Sequence, residues 1–210
     1  MAKIKTKRER IKFASDNVAG ACPEVLDAIL KANDGDSAPY GNDDWSKSLQ
    51  EKFSEIFEKE VIVYPTASGT AANALALSVL TPVFGNIYCH KLSHINTDEC
   101  GAPEFYTGGA KLVTLKGVNG KITSQELSDN VGGVGVVHHT QPSVTSITQL
   151  CETGEAYQLN EIKEISETAH KHNLKMHMDG ARFANALVSL GATPAEMTWK
   201  SGIDVLSFGA

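Results

Sequence analysis

Apolar positions along the chain follow two spacings. In "SKSLQEKFSEIFEKE" (46–60), Leu49, Phe53, Ile56 and Phe57 recur at three- and four-residue steps, which places them on one face of a helix. "VIVYP" (61–65) is a short apolar run and predicts a buried strand. "GTAANALALSVL" (69–80) is rich in Ala and Leu and predicts a helix. "NIYCH" (86–90), "KLVTL" (111–115) and "GVGVVHH" (133–139) predict further strands. "LNEIKEISETAHKHN" (159–173) predicts an amphipathic helix with Ile162, Ile165 and Ala169 on its inner side. "LKMHMD" (174–179), "GARFANALVSLG" (180–191) and "DVLSF" (204–208) predict strand, helix and strand. Strands separated by helices make βαβ units. The expected fold class is therefore α/β, with a mostly parallel sheet carrying helices on both faces. No internal repeat, low-complexity tract or linker interrupts the alternation, so one domain is expected.

Composition narrows the function without choosing it. A chain of 210 residues, 41% hydrophobic and 21% charged, is of ordinary globular type. Its net charge of −6 argues against a dedicated nucleic-acid binder. The basic start "KIKTKRERIK" (3–12) has no apolar stretch and does not read as a secretory signal. Residues 61–89 carry no charge, which is long enough to span a bilayer. Pro65, Ser68, Gly69, Asn73, Pro82 and Gly85 break that run into buried pieces of a globular core. The cysteines, Cys22, Cys89, Cys100 and Cys151, form no CxxC pair, and a reducing cytoplasm is the expected compartment. Cys89, His90, His94, Asp98 and Cys100 lie near one another in sequence. His90 closes a strand and His94 follows a loop, so the pair need not share a helix, and no metal is assigned.

Candidate chemistry gathers at predicted strand ends. "YPTASGTAAN" (64–73) is strand, polar turn and helix. Ser68, Gly69 and Thr70 would open that helix, where free N–H groups and the helix dipole favour a phosphate. A plain Ser or Thr cap is the alternative for these residues taken alone. Neither a Walker loop nor a GxGxxG is present. "HMDGAR" (177–182) ends an apolar strand in Asp179, with Arg182 three residues on. Asp179 could cap the following helix or face a ligand at the sheet's carboxyl edge. Together with His94, these residues suit an aromatic cofactor that bears one phosphate. A carboxylate would hold a pyridine nitrogen protonated and an aromatic side chain would cover the ring.

The same segments resemble the low-specificity and phenylserine-type L-threonine aldolases, of the aspartate aminotransferase-like, pyridoxal-phosphate fold type I superfamily. "FASDNVAGACPEVLDAI", "YGNDDWSKSLQEKF", "TASGTAAN", "SHINTDECGAPEF" and "HMDGARFANAL" carry the resemblance over nearly the whole chain. It implies a large domain that binds pyridoxal 5'-phosphate and a cytoplasmic aldolase that splits β-hydroxy-α-amino acids into glycine and an aldehyde. Ser68, Gly69 and Thr70 would hold the phosphate. His94 would stack on the ring and take part in proton transfer. Asp179 would bind the ring nitrogen, and Arg182 the phenolic oxygen or the substrate carboxylate. Ser15 and Tyr40 would border the substrate. His138 and His139 receive no role.

The resemblance also implies a lysine that carries the cofactor just beyond the last strand, followed by a smaller C-terminal domain. Neither is present up to Ala210. Lys200 precedes "DVLSF" and would lie at the wrong end of that strand, up to ~30 Å from the site. A homo-oligomer, a dimer or a dimer of dimers with shared pockets, is implied as the working form, with a small amino acid as substrate. The open alternatives are another fold type I enzyme, a β-eliminating lyase or an aminotransferase, and a non-catalytic truncated homologue.

Overall fold

A computed structural model describes residues 18–209. The chain divides into two compact units, residues 1–49 and 50–210. In the first, α1 (Pro23–Ala32) opens on a proline, which its position in the first turn tolerates, and buries none of its side chains. Ser15 and the basic start of the chain lie outside the described residues. The helix α2 (Asp44–Ile56) follows, opened by Asp43, whose carboxylate accepts the Ser46 N–H at 2.8 Å.

The second unit is the α/β body. In chain order it contains α3 (Gly69–Leu80), β1 (Gly85–His90), α4 (His94–Thr97), α5 (Ala102–Tyr106), β2 (Lys111–Leu115) and α6 (Ser124–Asn130). It continues with β3 (Gln141–Thr148), α7 (Leu159–Lys171), β4 (Lys175–Gly180), α8 (Phe183–Leu190), α9 (Pro194–Met197) and β5 (Val205–Phe208). The described strands form one sheet in the order β2-β1-β3-β4-β5, and every neighbouring pair is parallel. The α/β expectation holds.

Side-chain alternation divides the core in two. Tyr88, Ile147, Met176 and Met178 face a large cluster with Phe57, Ile162, Ile165, Ala169, Phe183 and Ala186. Ile87, Cys89 and Val144 face a smaller cluster with Leu77 of α3, Ile95 and Ala110. Helices therefore cover both faces. On β4 the alternation sends Met176 and Met178 to the large cluster, which leaves His177 and Asp179 on the α3 side.

Two predicted strands do not form. Residues 61–65, with Ile62 and Tyr64 exposed, form no strand. Their backbone groups go to side chains of α2 instead. Gln50 donates to Val63 O at 2.6 Å and accepts Val63 N–H at 2.9 Å, and the Val61 N–H donates to Ser54 Oγ at 3.2 Å. Residues 133–139 make two successive turns, closed by Val136 N–H to Gly133 O and His139 N–H to Val136 O. Gly133 and Gly135 sit there at φ +78 and +74, conformations that a strand excludes. The strand lies just after, in "QPSVTSIT", where Thr145, Ser146 and Thr148 are buried.

Candidate active site

The strand order reverses between β1 and β3. The chain leaves β1 outward to β2, then returns to the other side of β1. In parallel sheets the crevice at the carboxyl edge of such a switch point binds ligands. His94 follows β1, Glu152 follows β3 and Asp179 stands at the end of β4, so all three lie at that edge.

Asp179 is 4% exposed. Its Oδ1 accepts the Ala181 N–H at 3.1 Å and its Oδ2 accepts from Asn73 Nδ2 at 3.1 Å. Among the described residues no lysine or arginine pairs with it. Asn73 belongs to α3, and the same amide donates to Glu99 Oε1 at 2.7 Å. Glu99 Oε1 in turn lies 2.9 Å from His94 Nδ1. One hydrogen-bonded chain, buried except at His94, thus runs from β4 through α3 to the segment after β1.

Electrostatics follow from this packing. Burial raises the Glu99 carboxyl above its usual range, against the pull of Asn73 and His94. Burial alone would lower His94. The Glu99 carboxylate, by hydrogen bond and charge, outweighs it with help from Asp179 and Glu152, so His94 titrates above the ordinary histidine value.

Ser68 caps α3, its side chain accepting the Ala71 N–H at 3.2 Å. The cap of the sequence reading is present, and Gly69 has open space where a Cβ would stand. Gly69 and Asn73 are four residues apart on α3, a separation of ~6 Å along the axis. The free N–H end of α3 therefore lies about one turn from the amide that holds Asp179.

Several placements differ from the sequence reading. Asp179 does not cap α8. That helix starts at Phe183, and Asp179 closes a turn onto Ala181 instead. Arg182, three residues beyond Asp179, occupies the residue before the helix. Its guanidinium turns to Leu150 O at 3.3 Å and Glu152 Oε1 at 2.6 Å. Tyr40 belongs to the first unit, in a turn at φ +63, and is 97% exposed. His138 and His139 precede β3, at the opposite sheet edge from Asp179. Lys200 also stands before its strand, bound to Glu58 at 2.6 Å. Among the described residues no three His, Cys, Asp or Glu side chains are grouped to hold a metal ion. No described helix is long and apolar enough to cross a membrane.

Asn73, Glu99 and Glu152 were missed from sequence. Asn73 carried one signal, as the single amide in an Ala- and Leu-rich helix.

Comparison with known proteins places this arrangement. The model of the beta-eliminating lyase family matches residues 12–210. A low specificity L-threonine aldolase from Pseudomonas sp. is 46% identical over 198 residues, which cover 94% of this chain and 57% of that protein. The solved threonine aldolase of Leishmania major superposes with a TM-score of 0.79 at 28% identity, over 85% of this chain and 53% of that one. Thermus thermophilus aspartate aminotransferase shares the fold, with a TM-score of 0.51 at 14% identity, over 74% of this chain and 42% of that one. The chain thus spans a little over half the length of the Pseudomonas and Leishmania relatives.

Proposed function

Because this chain belongs to the beta-eliminating lyase family, we propose that the full-length protein is a pyridoxal-phosphate-dependent aldolase. It cleaves L-threonine, L-allo-threonine or a related β-hydroxy-α-amino acid to glycine and an aldehyde. The name of the Pseudomonas relative supports that substrate class. One structural observation carries the site: Asp179 is a buried carboxylate with no cation beside it among the described residues, at the carboxyl edge of the sheet. A buried charge without a partner is costly. A protonated pyridine nitrogen is the group that would compensate it, so the residues present fit the cofactor.

When bound, pyridoxal phosphate supplies an electron sink for the pair released as the Cα–Cβ bond opens. Ser68, Gly69 and Thr70 hold its phosphate with the first N–H groups of α3. Asp179 keeps the proton on the ring nitrogen, and Asn73 fixes that carboxylate. His94 covers the ring and takes the proton of the β-hydroxyl, directly or through water. Arg182, which donates to Glu152, would also bind an anionic oxygen of the cofactor or the substrate carboxylate. Ser15 and Tyr40 are assigned to the substrate by the resemblance alone. The lysine that would carry the cofactor and the smaller domain remain what the resemblance implies. The cysteines are free, in keeping with a cytoplasmic protein. A homo-oligomer with shared pockets, a dimer or tetramer, is supported by α1, where Val25, Leu26, Ile29 and Leu30 are exposed. An active full-length monomer in sedimentation would overturn that assembly.

The test is Asp179→Ala in the full-length protein, with melting and turnover measured together. We expect cleavage to fall ~10²–10³-fold, as for loss of a strong electrostatic contact to the reacting system, while the melting temperature without cofactor stays close to that of the unsubstituted protein. Retained turnover with a loss of ~1 kcal/mol of stability would mark Asp179 as a mere turn residue.

A further inference from the structure

We propose that Glu99 is a positioning residue: its buried carboxylate holds the proton of His94 on Nδ1, so that Nε2 carries the free lone pair of the ring. The proposal rests on the reading of His94 as the proton acceptor of the aldolase site and names what prepares it for that work.

The geometry leaves one consistent assignment. Glu99 presents no side-chain surface to solvent, whereas 40% of the His94 side chain is exposed. Glu99 is thus the fixed member of the pair. Asn73 lies between two carboxylates, those of Asp179 and Glu99, at 3.1 and 2.7 Å. Carboxylates accept, so the amide must turn its NH₂ to both. Glu99 Oε1 then already accepts from Asn73 and meets His94 Nδ1 as a second acceptor contact at 2.9 Å. Nδ1 must carry the hydrogen, and in the neutral ring Nε2 is then the bare nitrogen.

Two observations mark this chain as more than packing. Glu99 Oε2 and Asn73 Oδ1 are buried without hydrogen-bond partners, a cost that a purely structural bridge would not need to carry. The charged groups that act on His94 from the packed elements are Glu99 after α4, Asp179 on β4 and Glu152 after β3, and all are acids. Arg182, beside them, is bound to Glu152. A proton taken at Nε2 makes the ring a cation, and Glu99 is the carboxylate in direct contact to balance it. This is the division of labour that a buried acid imposes on a histidine base in general.

The test uses full-length protein labelled with ¹⁵N-histidine, with and without pyridoxal phosphate. Long-range ¹H–¹⁵N spectra read the tautomer, and the His94 signals are those lost in His94→Asn. We expect the neutral ring to be protonated at Nδ1. In Glu99→Gln, which keeps the acceptor but removes the charge, the pKa of His94 should fall by about one unit or more, and the acid limb of the kcat profile should move down with it. A neutral His94 protonated at Nε2 overturns the proposal, as does an unmoved pKa in a folded Glu99→Gln protein. If Glu99→Gln does not fold, the tautomer of the unsubstituted protein decides alone. Neither the tautomer nor the pKa of His94 needs aldol cleavage to be read. If they hold in a protein that releases no glycine, the positioning stands and the aldolase reading fails.

Discussion

His177 shows how this fold uses a titratable side chain as structure, two residues from the carboxylate proposed to bind the cofactor. The ring is fully buried, with Nδ1 2.9 Å from Ser146 Oγ on β3 and Nε2 2.9 Å from Ser207 Oγ on β5. It ties three neighbouring strands beneath Asp179. Burial pushes its pKa down from 6.5 to about 4. The unfolded chain therefore binds more protons between those values. The stability His177 contributes is complete above the unfolded pKa and is lost as pH falls from about 6.5 to 4, on the order of 3 kcal/mol in full. Denaturant titrations across that range should show this loss, and His177→Gln should be less stable at neutral pH but flatter in its acid slope. An equal slope in both proteins would contradict the burial argument. At this scale the sequence was readable where a polar residue closes an apolar strand, as at Asp179, or follows one, as at His94. It was not readable where the partner is distant. Asn73 meets Glu99 and Asp179 across 26 and 106 residues, and neither separation leaves a local trace.

Among the elements, helices with a strong local pattern were legible to within a few residues at their ends. "GTAANALALSVL" is α3, with its serine cap in place. Strands were legible only where an apolar run also found a neighbour. Residues 61–65 have the composition of a strand, but sheet formation depends on a pairing edge, and here Gln50 and Ser54 supply the hydrogen bonds. The polar β3 was hidden because its Thr and Ser side chains point into the body and look like loop residues in sequence. The junction of β4 and β5 is where an element constrains the site most tightly. A Cβ on Gly180 would stand 2.9 Å from Ser207 O and 2.7 Å from Leu206 Cδ1. Leu206 can swing aside, but the β5 backbone cannot move without disturbing the pairing of Asp179 with Ser207. Gly180→Ala should cost about 1–3 kcal/mol in chemical denaturation and weaken cofactor affinity by moving Asp179. An unchanged denaturation midpoint would show that β5 yields at no cost.

For the whole molecule, family and fold were legible from several short segments read together, and two of them, "SHINTDECGAPEF" and "HMDGARFANAL", mark points where a strand's carboxyl end meets the segment that follows it. Arg182 was legible by type but not by direction, since its pairing with Glu152 depends on how the turn after β3 is placed. The central claim is that this edge breaks a carbon–carbon bond rather than expelling a β-substituent or exchanging an amino group. All three chemistries use the same cofactor contacts, so only the products separate them. The most direct measurement is product analysis of the full-length protein with pyridoxal phosphate and L-threonine or L-allo-threonine. The account predicts glycine and acetaldehyde in equal amounts, with no ammonia. Ammonia with a 2-keto acid, or amino transfer to an added keto acid without glycine, would contradict it.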